Sequence, residues 1–277
     1  MTERAEVVER LEVAGCVAAA EEASELLAAA PDGATLDAWV RRRERGEPLA
    51  WITGTAWFCD RRVAVGPDVY VPRAQTEELA VRAATLLPPG GRAVDLCTGA
   101  GAVAAHLAAE VPGAAVVGVD LDGRAAAWAR RNRVPAVVGD AGEPPLRPGA
   151  FDLVTAVAPY VPTGALGLLP ADVQRYEPRQ ALDGGADGLD LVRRVVAAAA
   201  RLLRPGGWLL LEVGGDQDRA LGPALVAAGF EPGVPWHDED GDLRGVAARR
   251  LGLPAVGDVD HQAGAVAGAG QGEHPER

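Results

Sequence analysis

Two hydrophobic patterns follow one another in the first 75 residues. Over residues 3–46 apolar positions such as Val7, Leu11, Leu26 and Val40 recur every three to four residues, which predicts a small bundle of helices. From Pro48 onward the apolar runs shorten to WITGTAWF (51–58) and RRVAVG (61–66), which resemble β-strands. We therefore predict a helical N-terminal domain over residues 1–47 and a β-hairpin linker over residues 48–75.

From residue 76 the chain alternates between helical and strand-like segments, as in βαβ units. The strand segments are mostly apolar throughout, which is typical of strands buried on both faces of a parallel sheet. They are RAVDL (92–96), AAVVGVD (114–120), PAVVG (135–139), FDLVTAV (151–157) and GWLLLEV (207–213), followed by a hairpin within 231–250. We predict a doubly wound, mostly parallel, seven-stranded α/β sheet over residues 76–250 and a disordered tail over residues 251–277.

Composition narrows the classes of partner. A net charge of -12 and a pI near 4.8 disfavour binding to nucleic acid, which relies on clustered Lys and Arg. No apolar stretch reaches the roughly 18 residues that a membrane span requires. The three cysteines and four histidines are scattered without a metal-ligand spacing. These observations predict a monomeric, cytoplasmic protein with reduced thiols and no metal site.

The stretch DLCTGAGAVA (95–104) marks a candidate cofactor loop between the first strand of the βαβ array and its helix. Gly99 and Gly101 permit a tight turn and a close approach of backbone to ligand, and the helix start offers free N–H groups. The loop also resembles the dinucleotide fingerprint, with Asp120 at the distance expected for ribose binding. The glycine loop alone therefore does not identify the cofactor.

Three aspartates favour S-adenosylmethionine (SAM) over a dinucleotide. Asp95, Asp120 and Asp140 end three successive predicted strands, and the carboxyl ends of such strands surround the ligand crevice. A carboxylate at Asp95 counters the ammonium group of a methionyl moiety but repels a pyrophosphate. Asp140 is placed to accept a hydrogen bond from an adenine amino group. We predict that all three bind SAM.

The stretch TAVAPYVP (155–162) ends another predicted strand with a proline and a tyrosine. Pro159 stops sheet pairing and keeps Ala158 extended. A tyrosine in such a place usually has a partner for its hydroxyl. We therefore expect Tyr160 to face the ligand crevice.

Together these segments resemble the HemK/PrmC family of class I SAM-dependent methyltransferases, which modify the glutamine amide in the GGQ motif of release factors. The resemblance runs from about residue 10 to 250, and includes residues 46–73, the glycine loop, VVGVDLDGRA (116–125), FDLVTAVAPYVP (151–162) and residues 176–194. It implies a protein substrate such as a release factor and a helical domain that docks it. It implies cofactor contacts from Arg73, Thr76, Asp95, Thr98, Gly99, Ala100, Gly101, Asp120, Leu121, Asp140, Ala141 and Val157, and catalytic roles for Val157, Ala158, Pro159 and Tyr160.

The acceptor motif departs from the family at two positions, and the first removes a polar side chain. Where the family carries Asn-Pro-Pro-Tyr, this chain carries Val157-Ala158-Pro159-Tyr160. Loss of the asparagine removes one hydrogen-bond partner of a substrate amide, at a cost of about 1–3 kcal/mol. Glutamine N-methylation is therefore the first hypothesis. The alternatives are methylation of another nitrogen in a small molecule or peptide, an idle SAM-binding module, and, more distantly, a dinucleotide oxidoreductase.

Overall fold

A computed structural model describes residues 3–252 and begins with three helices. They are α1 (Glu3–Val13), α2 (Ala19–Ala29) and α3 (Gly33–Glu44). Their apolar faces meet around Leu11, Ala23, Leu26 and Val40, none of which is measurably exposed. Asp32 caps α3 by accepting a hydrogen bond from the Thr35 N–H. The helical periodicity over residues 3–46 thus predicts the structure found.

The linker differs from the prediction at its start. WIT, expected in a strand, belongs to helix α4 (Leu49–Thr53), which ends at Gly54 with a left-handed φ of 78°. Pro48 precedes this helix, and Trp51 and Ile52 are buried against different cores, so tertiary packing overrides the local strand preference. Strands β1 (Thr55–Phe58) and β2 (Arg61–Ala64) then form the expected hairpin.

A mixed seven-stranded sheet forms the centre of the molecule and confirms the predicted fold class. Its strands are β3 (Arg92–Leu96), β4 (Ala115–Asp120), β5 (Ala136–Val138), β6 (Phe151–Ala156), β7 (Leu203–Glu212), β8 (Val234–His237) and β9 (Leu243–Arg249). They lie in the order β5-β4-β3-β6-β7-β9-β8; β9 runs antiparallel to both of its neighbours, β7 and β8, and the other pairs are parallel. Along the chain, β4 and β5 are added on one side of β3, and β6 is then added on its other side. That reversal places the ligand crevice at the carboxyl ends of β3 and β6.

Helices cover both faces of the sheet, where two separate hydrophobic cores form. The helices of these two layers are α5 (Glu77–Leu86), α6 (Ala102–Glu110), α7 (Gly123–Arg131), α9 (Asp190–Leu202) and α10 (Gln217–Ala227), whereas the short α8 (Ala171–Tyr176) has no buried residue. Every residue of β6 is buried, as its apolar sequence predicts.

In the described residues no helix is long and apolar enough to cross a membrane. The domain boundaries at residues 47, 75 and 250 stay predictions, and the predicted tail lies almost wholly outside the described part.

Candidate active site

A cavity of about 930 Å³ opens at the carboxyl ends of β3, β4, β5 and β6. It brings together nearly all the residues singled out from the sequence. The lining includes Arg73, Thr76, Asp95, Thr98, Gly99, Ala100, Asp120, Leu121, Asp140, Ala141, Val157, Ala158, Pro159 and Tyr160. Gly101 is not part of the lining. Its φ is 82°, and an added Cβ would lie 3.1 Å from Ala129, so this glycine allows α6 to pack against α7.

The glycine loop is held in place by a carboxylate. Asp120 accepts hydrogen bonds from the Gly99 N–H at 2.8 Å and from the Asp122 N–H at 2.9 Å. Gly99 takes a positive φ of 55°, and the preceding Cys97 does so too, at 58°. Burial raises the pKa of the Cys97 thiol, which keeps it protonated and agrees with a packing role. The loop is thus shaped before any ligand arrives.

Asp95 is the most deeply buried acid of the cavity, with 2% of its surface exposed. Its two carboxylate oxygens accept hydrogen bonds from the hydroxyls of Thr98 at 2.6 Å and Thr155 at 2.7 Å. Burial outweighs these bonds and raises the pKa of Asp95 to about 6. A cationic group beside Asp95 would stabilise the ionised carboxylate, so the site is suited to an ammonium ligand.

Asp140 is held differently, because its partner is an arginine. One carboxylate oxygen accepts from the Gly142 N–H at 2.8 Å, and the other from Nη2 of Arg194 at 2.6 Å. Arg194 lowers the pKa of Asp140, whereas burial raises the pKa of Asp120. Asp140 is therefore an ionised, acceptor-only group at neutral pH.

Overall, acidic groups dominate the cavity. Eight aspartates line it against two arginines, Arg73 and Arg194. Charge of this kind attracts a cation and repels a polyphosphate. The residues present therefore fit SAM, which carries a sulfonium and an ammonium group, better than they fit a dinucleotide.

At the other end of the cavity, Val157 and Ala158 follow β6. Val157 is half-buried and apolar, and Ala158 is 2% exposed. In the part of the chain that the structure describes, the Ala158 carbonyl receives no hydrogen bond. Buried carbonyls are almost always paired, so a donor on a bound ligand is the expected partner.

The Tyr160 hydroxyl is engaged by the protein itself. It receives a hydrogen bond from Gln75 Nε2 at 3.0 Å and donates one to Glu212 Oε1 at 3.2 Å. Burial and the neighbouring Glu212 raise the pKa of Tyr160, so the phenol stays neutral. Because its hydroxyl is held from behind, Tyr160 offers the cavity its ring.

A second cavity of about 330 Å³ lies on the other side of this contact and shares only Gln75 and Tyr160 with the first. Glu212, at 3% exposure, lines it, and burial raises the pKa of its carboxyl group. The Thr76 hydroxyl lies close enough to Glu212 to lower the pKa of its carboxyl group. Within the described residues, neither Thr76 Oγ1 nor Glu212 Oε2 has a partner in hydrogen-bond geometry. The Thr76 hydroxyl makes no helix-capping bond. Thr76 thus contacts Glu212, which in turn accepts the hydrogen bond from the Tyr160 hydroxyl.

A segment between β6 and α9, here called the lid, contributes residues to the wall of the cavity. It consists of two 3₁₀ turns, Thr163–Leu168 and Arg179–Ala181, with α8 between them. Arg73 forms an ion pair with the buried Glu177 and lies over the Tyr70 ring, 5.0 Å from its centroid. The Tyr176 hydroxyl donates to the Arg45 carbonyl at 3.1 Å, which ties the lid to the N-terminal helices.

Sequence reasoning missed Glu212, Gln75 and Arg194 as site residues. Glu212 carries the signal that identified the three aspartates, an acid at the end of an apolar strand. Gln75 is marked only by its place in PRAQTE, and Arg194 is one of two adjacent arginines on α9. Among residues 3–252 no group of His, Cys, Asp or Glu is arranged to hold a metal ion.

Comparison with known proteins decides between the remaining enzyme classes. A family model described as "Methyltransferase domain" matches residues 93–169. The release factor glutamine methyltransferase of Geobacter sulfurreducens is 43% identical over 216 residues, which are 76% of each chain. The chain belongs to the release factor glutamine methyltransferase family. This membership confirms the family predicted from the sequence, and with it a methyltransferase that uses SAM rather than a dinucleotide enzyme.

Two further likenesses bear on fold and substrate. A methyltransferase structure from Pyrococcus furiosus superposes with a TM-score of 0.51 at 17% identity, over 68% of this chain and 88% of that one, and supports the fold. The 4-amino-L-phenylalanine/4-methylamino-L-phenylalanine methyltransferase of Streptomyces pristinaespiralis is 41% identical over 202 residues, 69% of this chain and 68% of that one. Relatives of this chain thus include enzymes named for a protein glutamine and for a small aromatic amine.

Proposed function

We propose that this protein transfers a methyl group from SAM to the side-chain amide nitrogen of a glutamine in a release factor. The observation that carries the proposal is the buried Ala158 carbonyl, which lines the cavity and receives no hydrogen bond within the described chain. An amide N–H is a suitable donor for it. The 43% identity to a release factor glutamine methyltransferase points to the same acceptor.

Bound SAM supplies an electrophilic methyl group on its sulfonium. In this proposal Asp95 holds the ammonium group, Asp120 the ribose hydroxyls and Asp140 the adenine amino group. Gly99 and Ala100 leave room for the cofactor in the loop that Asp120 fixes, and Thr98, Leu121, Ala141 and Arg73 complete the walls. Each group has the charge or shape that its part of SAM requires.

The acceptor residues act by orientation, because an amide nitrogen is a weak nucleophile with a delocalised lone pair. The Ala158 carbonyl accepts an N–H and turns the nitrogen lone pair toward the methyl group, while the Tyr160 ring limits rotation of the amide plane. Pro159 keeps Ala158 extended. As positive charge develops on nitrogen, the carbonyl dipole stabilises it. Val157 supplies no second acceptor, so turnover should be slower than with an asparagine there.

A second candidate is N-methylation of an aromatic amine. Two observations favour it: the apolar Val157 beside the Tyr160 ring, and the 41% identity to an aminophenylalanine methyltransferase. A planar ring would pack against both side chains. An aromatic amine needs fewer hydrogen-bond partners than a carboxamide, because it has no carbonyl oxygen that requires a donor in the slot.

One assay separates the candidates. The full-length protein is incubated with methyl-labelled SAM and either an intact release factor or 4-aminophenylalanine, and the products are analysed by mass spectrometry. Methylation of the glutamine of the GGQ motif supports the first proposal. Methylation of the aromatic amine alone replaces it with the second, and label transfer to neither, despite binding of SAM, contradicts both.

We also propose that the enzyme works as a cytoplasmic monomer. Cys16, Cys59 and Cys97 are free thiols, which fits a reducing compartment. The N-terminal helices contact the lid through Tyr176 and Arg45 and thereby offer the protein substrate a surface next to the cavity. Light scattering of the purified protein at micromolar concentration tests the monomer, and a stable dimer would contradict it.

A further inference from the structure

The adenine end of the cavity contains an arginine that the sequence motifs do not mark. Arg194 projects from α9, and its Nη2 donates to Asp140 Oδ2 at 2.6 Å. It is half-exposed and lines the cavity together with Asp140 and Ala141. Its neighbour Arg193 pairs instead with Asp187, outside the lining.

Arg194 also lies against the turn that presents Asp140. A Cβ added at Gly142 would fall 2.8–2.9 Å from Nε, Cζ and Nη2 of Arg194, so the guanidinium occupies the space that any other residue would need. A second arginine of the same helix, Arg201, donates to the Gly142 carbonyl at 3.0 Å. Arg201 thus holds the turn backbone, while Arg194 holds the carboxylate.

We propose that Arg194 is a specificity-determining residue for the cofactor: it fixes the direction in which the Asp140 carboxylate accepts hydrogen bonds and so selects a base that carries an amino group at position 6. This inference rests on the proposed binding of the adenine amino group by Asp140. A carboxylate whose oxygens are both anchored has acceptor capacity left but no proton to donate. Adenine presents an N–H donor there, whereas hypoxanthine presents a carbonyl oxygen that the carboxylate repels.

The orientation of the Asp140 carboxylate depends on Arg194. The guanidinium is the largest cause of the lowered pKa of Asp140, and the Gly142 N–H is the next. Without Arg194 the carboxylate is still ionised at neutral pH but turns more freely. Its free acceptor positions then no longer stay aimed at the base, so discrimination between the two bases falls.

The test compares two ligands by isothermal titration calorimetry: S-adenosylhomocysteine and its hypoxanthine counterpart, S-inosylhomocysteine. The wild-type protein should prefer the adenine ligand by about tenfold or more, which corresponds to one good hydrogen bond. R194M should bind S-adenosylhomocysteine about tenfold more weakly. Its affinity for the inosine ligand should hardly change. Methyl transfer at saturating SAM should keep its kcat, so that only the KM for SAM rises.

Two matched variants separate recognition from support of the turn. R193M removes the adjacent arginine and should leave both affinities unchanged. R201M removes the hydrogen bond to the Gly142 carbonyl. It should lower the affinity for both ligands equally and leave the discrimination between them unchanged. Unchanged discrimination in R194M, or an equal loss for both ligands as in R201M, would overturn the proposal. If the wild type binds neither ligand, the proposed cofactor role of Asp140 is contradicted as well. This outcome differs from a change in discrimination, because no binding is measured for any variant.

Discussion

The two ends of the cavity are built on different principles. At the cofactor end, Asp95, Asp120 and Asp140 close three strands, and each has both carboxylate oxygens hydrogen-bonded by the protein. At the acceptor end, Val157 offers no polar atom and the Tyr160 hydroxyl is tied to Gln75 and Glu212. The cofactor end therefore specifies its ligand through several preformed charges. The acceptor end relies on one backbone carbonyl and one aromatic ring.

This difference has a consequence for specificity. Several independent contacts should make the cofactor end tolerant of small changes elsewhere, because in the proposed complex each polar group of SAM has its own partner. An acceptor end with a single free carbonyl discriminates less, since fewer polar groups are left unpaired when the wrong substrate binds. Relatives named for a protein glutamine and for an aromatic amine are consistent with such a slot.

The largest effect is expected from breaking the cofactor end at Asp120. D120A removes the acceptor of both the Gly99 and the Asp122 N–H groups together with the proposed ribose contact. Bonds to a charged group contribute about 1.5–3 kcal/mol each, so binding of S-adenosylhomocysteine should weaken by about a hundredfold or more. Calorimetric titration measures this loss.

The matched control is Y160A, which alters the acceptor end alone. It should bind S-adenosylhomocysteine almost as the wild type does while turnover falls. Melting temperatures show whether either variant is merely misfolded. Binding by D120A at near wild-type affinity would mean that the glycine loop does not depend on its carboxylate.

A smaller effect is expected from sharpening the acceptor end. V157N restores a side-chain amide where only an apolar group stands, and supplies a second partner for a glutamine carboxamide. Turnover of a release factor should rise by about ten- to a hundredfold, which corresponds to roughly 1–3 kcal/mol. Turnover of 4-aminophenylalanine should fall. Parallel rate measurements at saturating SAM check both changes.

V157L is the control for V157N, because it keeps the slot apolar while changing its shape. It should not raise glutamine methylation. Equal rates for V157N and wild type on the release factor would show that the Ala158 carbonyl suffices, and that the valine does not limit the reaction.

The sequence predicts the cofactor end better than the acceptor end for a physical reason. Asp95, Asp120 and Asp140 are each placed by their own strand, and parallel strands bring their carboxyl ends to one edge of the sheet. The strands predicted between residues 92 and 213 are found with bounds shifted by a few residues, whereas α8 was not predicted. A periodic pattern and an acid at the end of a strand depend on neighbouring residues in the chain, so both can be recognised without the tertiary structure.

The partners of Tyr160 and Asp140 are not local. Glu212 lies 52 residues after Tyr160, and Arg194 lies 54 residues after Asp140. The first pairing arises because β6 and β7 are neighbours in the sheet, and the second because α9 reaches the turn that follows β5; no spacing in the chain encodes either contact. The helix at Leu49–Thr53 was missed for a related reason, since two buried side chains outweigh its strand-like composition.

The smallest effect concerns pH at the cofactor end. Burial raises the pKa of Asp95 to about 6, above the value of about 3.9 expected in the unfolded chain. The folded protein therefore holds this proton more tightly, and the associated stability is present at low pH and lost as the pH rises through 6. The free energy of unfolding of the ligand-free protein should fall by about 2 kcal/mol between pH 4 and 7 from this group alone.

In the proposed complex the ammonium group of the ligand reverses this trend, because it pairs with the ionised carboxylate of Asp95. Affinity for S-adenosylhomocysteine should accordingly rise as the pH increases from 5 to 7 and then level off, by up to about tenfold per pH unit on the acid side. Other buried acids, among them Glu212, titrate in the same direction, so the measurement is the difference between wild type and D95N. In D95N the part of the rise that belongs to Asp95 disappears. Identical pH profiles for the two proteins would place the ammonium group elsewhere in the cavity.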